Sequence, residues 1–385
     1  MRKSLRGITW SHTRGVAPMQ VTSQVYSDFN PDIEIRWDMR SLHDFGEGKL
    51  EDLVREYDLL LVDHPFMGVV AESGLFIPLD RHYSAEDLRS LSNESVGASY
   101  SSYGYNGHQW ALPIDAAAQV SAAREDLMAA AGLTIPRTWD EVMGLSKNTG
   151  KVAMPLSPMA TLGVFFTLCN AHGEEPFKRY EREVVGEVVA KQVLDQMLDL
   201  FETMPSWCLD VYPPYIFNKM ATTDEIWYVP LSYGYVNYST KGYAPECITF
   251  FDIPLNSNGI PGGATLGGVG ISLSKYCKNL DIALDYARWV SGSRCQSTIY
   301  SLSGGQPANK KAWTDELLNT VSNNFYRNTI TTLENAFVRP RYSGFHHFQT
   351  LAGRSLQSFL RRELSLEDTI RNINTSLENS KNSDL

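Results

Sequence analysis

The segment Tyr105-Asn106-Gly107-His108-Gln109-Trp110-Ala111-Leu112-Pro113-Ile114-Asp115 changes character halfway along. Its first half is turn-forming, and from Gln109 onward it resumes an extended run that Pro113 interrupts. We read a passage of the chain from one lobe to another at this point. On its N-terminal side short apolar strands alternate with helical stretches: Leu5 to Trp10 extended, Gly15 to Phe29 helical, Ile33 to Met39 alternating, Leu50 to Tyr57 helical and Asp58 to Asp63 a buried strand. That alternation predicts a βα-built lobe around a central sheet.

On its C-terminal side the signals change. Thr138 followed by Glu141 forms a capping box and predicts a helix start at Thr138-Trp139-Asp140-Glu141. Met159 to His172, Glu181 to Met204, Tyr215 to Met220 and Leu280 to Val290 carry helical apolar spacing, and Trp313 to Leu377 reads as mostly helical. Gly267 to Leu273 reads as a Gly-rich strand after the turn cluster Gly259-Ile260-Pro261-Gly262-Gly263, and Asn379 to Leu385 as a loose tail.

At 385 residues the chain exceeds what one hydrophobic core usually supports, so two or three domains are expected. The net charge of −10, with Lys and Arg scattered singly, argues against a nucleic-acid surface. The longest apolar runs, such as Leu59-Leu60-Leu61-Val62, fall far below the roughly 20 residues a bilayer span needs, so no membrane insertion is expected. Cys169, Cys208, Cys247, Cys277 and Cys295 lie far apart with no C-x-x-C pair, which encodes neither a zinc site nor a dense disulfide framework. Met1-Arg2-Lys3 runs straight into Leu5-Arg6-Gly7-Ile8-Thr9-Trp10, so a secretory signal is expected to have been removed or never to have existed.

In an open α/β sheet, ligands bind beyond the carboxyl ends of the strands, where loops and helix N-termini present unpaired N–H groups. Two such ends are chemically rich: Trp10-Ser11-His12-Thr13-Arg14-Gly15, and Asp63-His64-Pro65. An aromatic face with hydroxyls, a guanidinium and a carboxylate suits a sugar or a small polar acid. The plainer reading is that Trp10 and Asp63 cap strands and pack locally. A second concentration is Ile226-Trp227-Tyr228-Val229-Pro230-Leu231-Ser232-Tyr233-Gly234-Tyr235, where strand alternation would send Tyr233 and Tyr235 to one face as a stacking platform, or equally into a core.

Catalytic motifs fare poorly. Ser272-Leu273-Ser274-Lys275 matches S-x-x-K without its companion elements, Gly267-Gly268-Val269-Gly270 opens no helix and lacks a phosphate-loop lysine, and His346-His347 is the only adjacent histidine pair. Close backbone approach explains the glycines better than nucleotide binding.

Three segments resemble the extracellular solute-binding proteins of carbohydrate-type ABC importers, the group that includes maltose-binding protein. The first is Tyr105 to Asp115 with Arg124-Glu125-Asp126-Leu127 and Pro136-Arg137-Thr138-Trp139-Asp140-Glu141, the second Gly267 to Lys275 with Ala283 to Trp289, and the third Gly304-Gly305-Gln306-Pro307-Ala308. The resemblance implies an α/β, two-lobed periplasmic-binding-protein-like fold of type II, each lobe a mixed sheet flanked by helices. Lobe one would comprise residues 1–113 plus 254–306 and lobe two 114–253 plus 307–385, with crossings near Ile114, Ile253 and Pro307. Ala116 to Ala123 departs from the family's Tyr-rich strand and argues against a long oligosaccharide.

The function then expected is capture of a monosaccharide, polyol or sugar acid by hinge closure, for delivery to an ABC transporter permease, by a monomer in the periplasm or another extracytoplasmic space. The ligand-binding residues expected are Trp10, His12, Arg14, Asp63, His64, Asp115, Trp227, Tyr233, Tyr235, Gly267, Gly268 and Gln306. Trp10 would stack, Asp63 and Asp115 would accept hydroxyl hydrogen bonds, and Arg14 or His64 would meet an anionic group. No catalytic residue, metal or cofactor is assigned. Two alternatives stand beside this reading. One is a binding protein for a small carboxylate or quaternary amine, caged by Trp10, Tyr233 and Tyr235. The other is a cleft enzyme acting on a sugar or ester with His12 or His64 as base.

Overall fold

The computed structural model describes residues 2–382. Among the described residues nine strands form: β1 Lys3–Trp10, β2 Ile33–Arg40, β3 Leu59–Val62, β4 Gly104–Tyr105, β5 His108–Gln109, β6 Leu112–Ala123, β7 Tyr228–Tyr233, β8 Thr249–Phe251 and β9 Leu266–Leu273. The chain divides into two compact units. The first is Met1–Ala117, Gly267–Val321 and Arg339–Ser343, and the second is Ala118–Leu266, Ser322–Val338 and Gly344–Leu385. These bounds differ from those the resemblance suggests: 254–266 lie in the second unit, 307–321 in the first, and the excursion Arg339–Ser343 adds two further passages between units.

In the first unit β1 pairs in parallel with β2, from Lys3 opposite Ile33 to Trp10 opposite Arg40, and with β3 through Gly7 and Ile8. β9 runs antiparallel to β3, Leu59 opposite Leu273. The strand period of two explains why all four residues of β3 are buried. Leu59 and Leu61 join a cluster with Leu5, Ile35, Ile271 and Tyr286, while Leu60 and Val62 point the other way to Ile8, Val54, Phe66 and Trp110. Fully burying each such side chain contributes about 1.5–3 kcal/mol.

β6 begins in this unit and ends in the other, and all twelve of its residues are buried. The lack of a side chain at Gly268 is what allows close approach to its backbone: Gly268, at φ 109°, sits so near that a Cβ would come 2.4 Å from the Asp115 carbonyl oxygen. Ser272 and Ser274 spend their hydroxyls on the carbonyls of Trp110 and Val54, at 2.9 and 2.6 Å.

In the second unit β6 pairs antiparallel with β7, Gln119 opposite Tyr233 and Ala123 opposite Tyr228, and with β8. The helix Trp139–Thr149 starts on the expected capping box, with the Glu141 N–H on Thr138 Oγ1 and Glu141 Oε2 accepting from the Thr138 N–H, both at 3.2 Å. The helix Pro158–Ala171 is almost wholly buried and packs on Phe345–Leu360.

Two local expectations fail. Leu50 to Tyr57 is a set of turns rather than a continuous helix: Leu50, Leu53, Val54 and Tyr57 face the core at helical spacing, and the Val54 and Tyr57 N–H groups donate to the Leu50 and Leu53 carbonyls at 3.1 Å. The last helix, Leu366–Asn382, continues through part of the expected tail, where Lys381 Nζ donates to the Glu181 carbonyl at 2.6 Å; residues 383–385 lie outside the described residues. All five cysteines are free thiols, and Cys169, Cys208 and Cys295 are buried. Among the described residues no helix is long and apolar enough to cross a membrane.

At Gly353 a Cβ would fall 2.2 Å from the Pro158 carbonyl oxygen, a backbone atom that cannot yield without parting two helices. Gly353→Ala is expected to lower the unfolding free energy of the second unit by about 1–3 kcal/mol in urea titration.

Candidate functional site

The first unit gathers nine of the twelve expected residues. β1 ends at Trp10, and the loop behind it enters the helix α1, Thr13–Phe29, through His12, whose Nδ1 accepts the Arg14 backbone N–H at 3.0 Å. Thr9 Oγ1 donates to the Gly15 carbonyl at 2.9 Å and closes the turn. This tight path decides the fate of Trp10. Its ring covers Gly15, where a Cβ would fall 2.4 Å away, and lies 5.3 Å from the Phe45 ring. At 3% exposure Trp10 is a core side chain, so the structure offers packing rather than a stacking platform.

The same turn aims Arg14 inward onto Asp115 near the start of β6. Arg14 Nε donates to Asp115 Oδ2 at 2.8 Å and Nη2 to Oδ1, a bidentate pair with both side chains buried. Burial pushes the Asp115 carboxyl above its usual range, while Arg14 draws it down. Gln306 is tied to the same strand: its Nε2 donates to the Ala116 carbonyl at 2.7 Å, and its own carbonyl accepts the Ala116 N–H at 3.0 Å. Gly267 and Gly268 are half-buried beside it.

The end of β3 supplies the second pair. Asp63 caps the short turn His64–Phe66, one oxygen accepting the His64 N–H at 2.8 Å and the other accepting from Arg339 Nη2 at 2.7 Å. Burial raises this carboxyl, but Arg339 and His64 outweigh it and hold its pKa at about 2. Because the folded pKa is depressed, the stabilisation is complete above the unfolded value of about 4 and is lost as pH falls through about 2. His64 is fully buried, and burial together with Arg339 lowers its pKa to about 4; His12, lowered by burial and Arg14, is also at about 4. Both imidazoles are neutral at ordinary pH.

Asp63 and Asp115 feel each other's charge, and Tyr103 feels both. The cluster is therefore two carboxylates balanced by two guanidiniums. Of the two carboxylates only Asp63 retains exposure, 15% of its side chain against none for Asp115.

The aromatic stretch of the second unit does not assemble as expected. β7 ends at Tyr233, so Tyr235 leaves strand geometry and is buried against Phe217 and Tyr238. Trp227 precedes the strand, about 20 Å from Tyr233 at roughly 3.3 Å per residue, and its Nε1 donates to the Asp224 carbonyl. Only Tyr233, half-buried opposite Gln119, stays near the passage between units. This unit also holds an open cavity of about 530 Å³ lined by Asn170, Lys178, Asn256, Asn335 and Phe337 among others, which includes none of the twelve.

Sequence reasoning missed Arg339, since no spacing rule connects it with a carboxylate 276 positions away. It also missed the buried Gln119, Thr167 and Thr265, where Thr167 Oγ1 donates to Gln119 Oε1 at 2.6 Å.

Residues 10–203, half of the chain, match the family model described as bacterial extracellular solute-binding protein, and the chain belongs to that family. No curated protein sequence matches it. Among solved structures, the maltose-bound MalE3 of T. maritima superposes with a TM-score of 0.85 at 18% identity, covering 97% of this chain and 99% of that one. An ABC transporter solute-binding protein from Agrobacterium radiobacter K84, in complex with ribitol, gives 0.78 at 18% identity over 98% of each chain. A third, from Agrobacterium vitis S4 with bound D-mannitol, gives 0.77 at 14% identity, again over 98% of each. The fold is the α/β two-lobed fold of these binding proteins.

Removing one partner of the buried pair isolates its contribution. Arg14→Met is expected to cost about 3–5 kcal/mol of unfolding free energy by leaving Asp115 unpaired, and Arg14→Met with Asp115→Leu to recover most of it, as read by urea denaturation.

Proposed function

We propose that this protein captures one small neutral polyhydroxylated solute, of monosaccharide or polyol size, and presents it to the permease of an ABC importer outside the cytoplasm. The observation that carries the reading is the charge-balanced cluster beyond β1 and β3, in which Asp63 is ionised, fixed by two hydrogen bonds and still partly exposed. A carboxylate oxygen has two lone pairs, so Asp63 can accept a solute hydroxyl beside the bonds it already makes. Ribitol and D-mannitol, the ligands named for two similar structures, are of this class.

The same charges narrow the choice. Arg14 and Arg339 are each committed to a carboxylate and His64 is neutral, which disfavours a sugar acid at these two pairs. A quaternary-amine cage from Trp10 and Tyr235 is disfavoured, because each is packed in the core of its own unit. A general base works best with a pKa near the operating pH, and His12 and His64, near 4, are ill suited to that role. Binding without turnover fits better. Closure of the two lobes over the solute would shift an equilibrium of a few kcal/mol.

Titration calorimetry with ribitol, D-mannitol, D-tagatose, maltose, D-gluconate and choline tests this. A neutral polyol or monosaccharide should bind, and Asp63→Asn should weaken it at least tenfold, about 1.4 kcal/mol. Tight binding of gluconate or choline with no response to the neutral compounds would overturn the assignment.

A further inference from the structure

Five residues of the chain break a simple division. Arg339–Ser343 belong to the first unit, while Ser322–Val338 before them and Gly344–Leu385 after them belong to the second. The excursion is fastened at three points. Arg339 holds Asp63, Arg341 Nη1 donates to the carbonyls of Ser101, Ser102 and Gly104 at 2.8, 3.2 and 2.6 Å, and Ser343 Oγ donates to Glu72 Oε2 at 2.5 Å. Its backbone lies against Gly68, where a Cβ would come 2.2 Å from the Arg341 carbonyl oxygen. This strap brings a guanidinium onto the Asp63 carboxylate at the end of β3.

We infer that Arg339 is the positioning residue of the solute site, holding Asp63 ionised and in one orientation so that it can accept a solute hydroxyl; this rests on the reading of Asp63 as a solute contact. The groups facing Asp63 are few. His64 is neutral, Asp115 repels it and is itself committed to Arg14, Tyr103 is a buried phenol, and Arg341 gives its Nη1 to backbone carbonyls while adding positive potential at His64. Arg339 is thus the largest attraction opposing the burial of this carboxyl. Without it, the His64 N–H is left to favour the charged form against burial, and the acceptor turns into a proton-bearing acid at mildly acidic pH.

The test is calorimetry with ribitol, D-mannitol and D-tagatose between pH 5 and pH 8 on the wild type, Arg339→Met, Arg339→Lys, Gly68→Ala and Asp63→Asn, each checked for a cooperative thermal transition. Wild-type affinity should be flat with pH. Arg339→Met should bind at least tenfold more weakly at pH 5 and regain affinity as pH rises. Arg339→Lys, which restores the charge without the planar fork, should return the flat profile. Gly68→Ala, which unseats the strap while leaving both charged residues in place, should reproduce the pH dependence and serves if Arg339→Met does not fold. A flat profile in Arg339→Met and Gly68→Ala, with binding still lost in Asp63→Asn, would overturn the role of Arg339. Wild-type affinity in Asp63→Asn would instead remove Asp63 from the site and the inference with it.

Discussion

A carboxylate withdrawn from water must find a cation or give up its charge, and beyond the ends of β1 and β3 this requirement is met twice over. Arg14 reaches Asp115 across 101 positions of chain and Arg339 reaches Asp63 across 276. Each pair ties a distant segment to the parallel strands, and each is tolerable in a largely buried place only because hydrogen bonds accompany the charge. The strand ends can gather polar groups because the sheet beneath them is covered on both faces by apolar side chains.

This arrangement bears directly on what such a site recognises. Within each of these pairs the two charges offset one another, so recognition of a solute there would fall to the geometry of hydrogen bonds. Hydroxyl groups suit such a site, since each can donate to a fixed carboxylate and accept from a neighbouring N–H. Long saccharides ask for extended aromatic faces, and Trp10 at the end of β1 is turned into the core over Gly15.

Much of this was legible in the chain. Period-two and helical spacing located β1, β2, β3 and β9 and the helices Pro158–Ala171 and Leu280–Ser291, because both periodicities follow from local backbone geometry. The capping box at Thr138 was readable for the same reason. The chemistry of the strand ends was readable as composition, but not as geometry. Nothing local says whether Trp10 faces a ligand or Gly15, or that β7 stops at Tyr233 and releases Tyr235 into an aromatic cluster. Arg339 lay beyond reach altogether, being brought to Asp63 only by the tertiary path of the strap.

The free thiols carry a consequence for how the chain meets oxidants. A thiol becomes an effective nucleophile only as thiolate. Burial pushes Cys208 to about 11, Cys277 and Cys295 to about 12, and Cys169 well above its ordinary value. Once folded, such groups exchange slowly with oxidants and foreign disulfides. The vulnerable interval is the one before folding is complete, when the sulfurs are accessible, and there speed of collapse is itself the antioxidant.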